Sequence, residues 1–279
     1  MPGVSTLEPP PPHVRSTFGL REVDGEPWGR GWRFGDVVLT AVDDHVRATW
    51  SAGVRQTLQV EGVRLARPVR SSDGRWVVSG WSADTFLAGD PEPRHDEVVA
   101  VAGRLHAATA ALPCPRFLTP AVTAVTADVL TTADRVAWGE ELEPFTLTPG
   151  PAAALEPTSV TVFRNLARAR RRVHGTPQVV HGDLFGTVLF AGSADPGIAE
   201  LTPYWHPPSW AAAVAVVDAV AWGGADDGLL DRWSELAEWP QMLLRAALFR
   251  LAVHTLHERS TPQAFPGLER TAQLVRERV

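Results

Sequence analysis

Apolar and polar residues alternate with a period of two through much of the first third of the chain, then recur with a period near 3.6, so a strand-rich part is expected to precede a helical one. Short alternating, β-branched runs at 32–34, 36–42, 64–69 and 75–81 predict strands, with Gly35, Gly62 and Ser72-Asp73-Gly74 as turns. A less defined first strand is expected near Phe18. Val46, Trp50, Val54 and Leu58 fall at helical spacing and predict a helix over 46–60. The expected order is therefore strand, strand, strand, helix, strand, strand.

After Gly89-Asp90-Pro91 the pattern turns helical. Val98, Val101, Leu105 and Ala108 share one side of a helix over 96–112, and further helices are expected at 159–173, 209–221, 231–237, 240–258 and 268–277. A short strand pair near 179–180 and 187–190 interrupts them. The proline-, threonine- and alanine-rich stretch 142–157 reads as a surface loop, and no internal repeat is present. The resulting plan is α+β: a proline-rich, extended arm at 1–15, a strand-rich lobe at 16–86 and a helical lobe at 87–279.

Composition narrows this picture. Hydrophobic residues are 44% and charged residues 21% of the 279, within the ordinary globular range. A net charge of −6 argues against nucleic acid or an anionic membrane as partner. The basic run Arg168, Arg170, Arg171 and Arg172 is the local exception; it reads as a solvated helix face, with a small anion site as the other reading. Asp218 interrupts the apolar stretch 210–222, which is too short to span a bilayer. With one cysteine, Cys114, and no secretory pattern at the start, a cytoplasmic setting is expected. All 26 basic Lys and Arg positions are arginine, and Asn165 is the only asparagine. Both absences remove chemistry.

The segment 178–190 reads Gln-Val-Val-His-Gly-Asp-Leu-Phe-Gly-Thr-Val-Leu-Phe, and Gly197-Ile198-Ala199-Glu200 follows it. His181-Gly182-Asp183, the apolar Val188-Leu189-Phe190 and this acidic turn, placed after a strand lobe and a helix carrying Leu105-His106, resemble the aminoglycoside phosphotransferases and their kinase-like relatives. The resemblance runs from about residue 18 to the C-terminus. It lies closest to an actinobacterial group with segments like Gly35-Asp-Val-Val-Leu39 and Thr202-Pro-Tyr-Trp205. It implies a two-lobed, protein-kinase-like fold. It also implies that Asp183 accepts or orients the proton of a substrate hydroxyl, as a working or vestigial group, while His181 supports the loop from behind. Asp183 organising the loop through backbone hydrogen bonds is the structural alternative.

The departures from that family are equally specific. Thr40 stands where the phosphate-binding lysine belongs and offers a neutral hydroxyl instead of a cation. The helix expected at 46–60 has no acidic residue, so the lysine's usual partner is missing too. Thr187 replaces the metal-binding asparagine, and Glu200 replaces the metal-binding aspartate with a carboxylate one methylene further out. Gly29 and Gly31, flanked by Trp28 and Trp32, make a weak phosphate-covering loop; Arg33 is a substitute phosphate ligand from the neighbouring strand.

The expected function is that of a pseudokinase whose interlobe cleft binds a small molecule or a partner protein, or runs non-phosphoryl chemistry, with no cofactor. The alternative is an ATP-dependent small-molecule phosphotransferase with unconventional phosphate and metal ligands. Magnesium and ATP enter only under that alternative. A purely structural protein with a filled cleft is the third reading. His254 and His257 at i, i+3 are expected on the surface, without a third metal ligand.

Overall fold

The computed structural model describes residues 8–123, 125, 128–140 and 157–279. Most of the loop expected at 142–157 lies outside the described residues. The chain divides into two compact units, Met1–Glu92 with Gly186–Pro203, and Pro93–Phe185 with Tyr204–Val279.

Among the described residues the first unit opens with a helix where the end of an extended arm and a first strand were expected; residues 1–7 of that arm lie outside the described residues. Helix α1 (Pro12–Thr17) buries Val14 completely, together with Phe18 and Leu20, against Phe34, Leu39, Val78 and Ala83. Proline at its first turn has no hydrogen bond to lose there, and burial of Val14 supplies what six residues cannot supply by propensity. Strands β1 (Glu26–Trp28), β2 (Gly31–Phe34) and β3 (Val37–Ala41) form an antiparallel meander. Asp44 then caps helix α2 (His45–Thr57), accepting hydrogen bonds from Val46 and Arg47 N–H.

The run 64–69 is two strands rather than one. β4 (Arg64–Leu65) and β5 (Pro68–Val69) lie in different sheets, because Ala66 N–H turns to Ile198 while Arg67 pairs with Thr85. The run 75–81 is likewise a hairpin. β6 (Val77–Val78) and β7 (Trp81–Thr85) are joined through Ser79 and Gly80, which have φ of 48° and 79°. Two successive positive φ values match the right-handed twist of the flanking strands. The main sheet has the order β1-β2-β3-β7-β5, with β6 also on β7.

The second unit holds α3 (His95–Thr109), α4 (Pro120–Thr123), α5 (Val129–Trp138) and α6 (Pro157–Ala167), followed by β8 (Gln178–His181). Helix α5 has no counterpart in the sequence reading. α6 stops six residues short of the expected 173, because the backbone at 169–171 is held by side chains of a later helix: Gln241 bonds Ala169 O and Arg171 N, and Arg245 bonds Arg171 O.

After β8 the chain enters the first unit as β9 (Val188–Leu189) and β10 (Gly197–Ile198). β10 pairs in parallel with β4 and antiparallel with β9. Residues 186–203 therefore cluster with the strands, although a linear division at 86 assigns them to the helical lobe.

β11 (Pro203–His206) pairs with β8, and α7 (Pro208–Trp222), α8 (Leu229–Arg232), α9 (Trp239–Leu256) and α10 (Phe265–Arg276) complete the helical unit. α7 and α9 are apolar nearly all round and form its centre; α9 packs on α5, α6, α7 and α10. Among the described residues, no helix is long and apolar enough to cross a membrane.

Candidate functional site

The His181-Gly182-Asp183 loop leaves β8 inside the helical unit, stitched to α3 from behind. Gln178 Nε2 donates to His106 O, and Thr109 Oγ1 donates to Val179 O. His181 N–H donates to His106 Nε2 at 3.0 Å, and Asp183 N–H donates to His181 Nδ1 at 3.1 Å. The accepting nitrogens fix both tautomers, with the ring proton on Nδ1 of His106 and Nε2 of His181. Burial, with a smaller contribution from His181, pushes His106 down to about 3, so it is neutral at physiological pH. Gly182 is required by a close approach, since a Cβ there would overlap the Tyr204 ring and crowd Trp210.

Asp183 Oδ1 accepts a hydrogen bond from Arg250 Nη2 at 2.9 Å, and 40% of its side chain remains exposed. Arg250, on α9, is held in turn by Asp218 on α7, through Nε at 2.7 Å and Nη2. Burial pushes Asp218 up to about 6; Arg250 opposes the shift and the Asp183 charge adds to it. Burial alone disfavours the Arg250 cation, but the two carboxylates outweigh it and raise its pKa. Neither residue figured in the sequence reading beyond Asp218 interrupting an apolar run. A lone acid in an otherwise apolar helix was the available signal for a buried, paired charge.

The remaining candidates lie in the strand unit. Thr40 on β3 stands between Gly31 of β2 and Ser82 of β7 in register. Gly31 admits the close approach of β3, because a Cβ would overlap Leu39 O and touch Thr40 Oγ1. Gly29, with φ of 54°, turns the β1–β2 hairpin. Alternation places Arg33 on the face that carries Thr40. There its guanidinium carbon lies 3.7 Å from the centre of the Phe86 ring and 5.8 Å from that of Trp28, with Glu26 at 3.7 Å. Trp28 meets Phe86 edge-on at 5.1 Å, whereas Trp32 faces the opposite side and packs on the α1 core.

Asp84, opposite Val38 on the same face, receives both terminal nitrogens of Arg55 from α2, at 2.6 and 3.3 Å. Arg55 also donates to Ala66 O and to Ala199 O, next to Glu200. A buried ion pair thus spans helix and sheet here, with the basic partner on the helix and the acidic one on the strand. Glu200 itself faces Arg30, from the β1–β2 turn, at 3.5 Å. Thr187 and Ala199 lie one residue beyond the paired stretches of β9 and β10, at the same end of that hairpin. Among the described residues, no three His, Cys, Asp or Glu side chains form a group able to hold a metal ion. His254 is buried and stacked on Phe265 rather than on the surface; His257 Nδ1 accepts from Arg259 N.

Solved structures of the same fold include a microcompartment-associated aminopropanol kinase, 14% identical over 95% of this chain and 94% of that one, with a TM-score of 0.54. An aminoglycoside phosphotransferase from Alicyclobacillus acidocaldarius is 14% identical over 99% and 96%, with a TM-score of 0.56. A spectinomycin phosphotransferase solved with ADP and spectinomycin is 9% identical over 96% and 97%, with a TM-score of 0.58. The chain therefore has the α+β, aminoglycoside phosphotransferase-like kinase fold, as its His-Gly-Asp segment led one to expect. No protein-family model matches the chain, and no curated protein sequence does either.

Proposed function

We propose that this kinase-fold chain is a pseudokinase, which binds a small molecule or a partner protein in a cytoplasmic setting without transferring phosphate. The observation that carries the reading is how the charges around Thr40 are committed. Asp84 is taken by Arg55, Arg33 is stacked on Phe86 beside Glu26, and Glu200 faces Arg30. Phosphoryl transfer relies on positioned counter-charge for the phosphates and on oxygen ligands for magnesium. Here Thr40 and Thr187 are neutral, and the acid in the metal-binding position already faces an arginine. In the helical unit, Arg250 fills one acceptor site of the Asp183 carboxylate, the group to which the resemblance gives the substrate hydroxyl. These residues do not fit Mg-ATP.

Calorimetric titration of the intact chain with ATP and magnesium is expected to show no saturable heat. Micromolar affinity that requires magnesium would overturn the reading. One observation favours the alternative of an unconventional ATP-dependent phosphotransferase. The Arg30 side chain is 75% exposed, so its pair with Glu200 is cheap to open and could release a cation for phosphate and a carboxylate for metal. In that case Arg30→Ala and Glu200→Gln should each weaken the magnesium-dependent affinity, and transfer from ATP to a small-molecule hydroxyl should be measurable.

A further inference from the structure

The helical unit gathers polar hydrogens that its own side chains leave without acceptors. Beside β11, the His206 ring lies flat on Trp138, with centroids 4.1 Å apart and planes 3° apart, and meets Trp210 edge-on at 4.6 Å. Arg245 of α9 sets its guanidinium carbon 5.0 Å from the centre of the Trp138 ring. Around this stack, Trp138 Nε1, Trp210 Nε1 and Arg245 Nε are buried and have no hydrogen-bond partner. Arg245 is 4% exposed and Trp210 is fully buried. Unpaired buried donors are uncommon in native proteins, and three around one stack call for an acceptor.

The charge points the same way. Arg245 Nη1 donates to Gln241 O and Oε1, and Nη2 donates to Arg171 O, so its partners are neutral. Burial disfavours its cation and nearby Arg170 adds to that, against a smaller favourable effect of Glu238. Glu238 directs its carboxylate to the backbone N–H groups of His174 and Gly175. Asp134, the acid in contact with the stack, has Oδ1 2.7 Å from His206 Nε2.

We infer that this locus, bounded by α5, β11, α9 and the arginine run 168–172, binds a small oxyanion: a carboxylate or phosphate group. Such a group supplies both missing features, lone pairs for the indole and guanidinium hydrogens and a counter-charge for Arg245. Asp134 and His206 keep 20% and 13% of their side chains exposed, so the stack meets solvent only in part on their side. The inference does not require that the fold transfers phosphate: none of these residues belongs to the His-Gly-Asp loop or the strand unit, although Trp210 packs against Gly182 of that loop.

The test is titration of the full chain with inorganic phosphate, with acetate and with sodium chloride at matched ionic strength, read by tryptophan fluorescence and thermal melting. A saturable response to phosphate or acetate that chloride does not reproduce is expected, and the stronger of the two identifies the anion class. Arg245→Met, which keeps the stem, should weaken it at least about tenfold, as should loss of any charge-assisted hydrogen bond. Arg232→Met, at a surface ion pair, should leave it unchanged. Trp138→Phe keeps an aromatic ring and removes one donor, so it decides the matter if Arg245→Met does not fold. It should weaken binding about three- to tenfold. Equal responses to chloride and phosphate, or parental affinity in Trp138→Phe and in folded Arg245→Met, would overturn the inference.

Discussion

Arg55 and Asp84 are 7% and 16% exposed, so water compensates neither charge fully and Asp84 depends on Arg55 for its counter-charge. Burial raises the Asp84 pKa and Arg55 opposes that shift. Arg55→Met should cost about 3–5 kcal/mol in urea unfolding, because it strands a buried carboxylate, whereas Arg55→Met with Asp84→Leu should recover most of the loss. A double variant no better than the single one would show that the bonds from Arg55 to Ala66 and Ala199 matter more than the pair. Asp218 makes a separate demand through pH. Its folded pKa of about 6 lies above the ordinary 3.8, so the folded state holds its proton more tightly than the unfolded state does. Its contribution is thus fully present below about pH 4 and is lost as pH rises through 6. The stability of the parent minus that of Asp218→Asn should fall between pH 4 and 6. A rise over that window would mean that Arg250 outweighs burial. Neither pair could be read from sequence: Arg55 and Asp84 stand 29 residues apart, Asp218 and Arg250 stand 32 apart, and only the folded register joins them.

At the scale of elements, periodicity located the long helices well, because α3, α7, α9 and α10 bury broad apolar surfaces over three or more turns. It did poorly where tertiary contacts decide. A six-residue helix such as α1 carries little period of its own, and the breaks inside 64–69 and 75–81 arise from sheet switching and a two-residue turn. The spacing of Val46, Trp50 and Val54 located α2, yet the residues it buries are Ser51, Ala52 and Arg55, which that spacing does not single out. The β8 loop was legible because His-Gly-Asp is a compact motif, and the need for its central glycine becomes visible only with β11 alongside. Gly182→Ala should therefore displace the Tyr204 ring or the loop and cost about 1–3 kcal/mol, the range for an overpacked core, measured by denaturant melting. A fully stable Gly182→Ala with an unchanged Tyr204 environment would show that β11 yields easily.

For the whole molecule, the strand unit is discontinuous in sequence. β4 takes β10 as its parallel neighbour, and Arg64 reaches Asp195 O at 2.6 Å, so the first 92 residues do not contain their own complete unit. A chain of residues 1–92 should lack cooperative unfolding and dispersed amide resonances, and joining 186–203 to it through a flexible linker should recover both. Cooperative unfolding of 1–92 alone would make the β4–β10 pairing dispensable.

The same pairing sets an order of events during synthesis. Leu65 leaves the ribosome long before Ile198, its partner in register, and at about 5–20 residues per second the interval is on the order of ten seconds. Through that interval β4 lacks its partner, and the nascent N-terminal portion must wait for a segment made two thirds of the way along. Slower translation between codons 65 and 198 should therefore prolong the exposure of an unfinished sheet and lower the yield of folded chain.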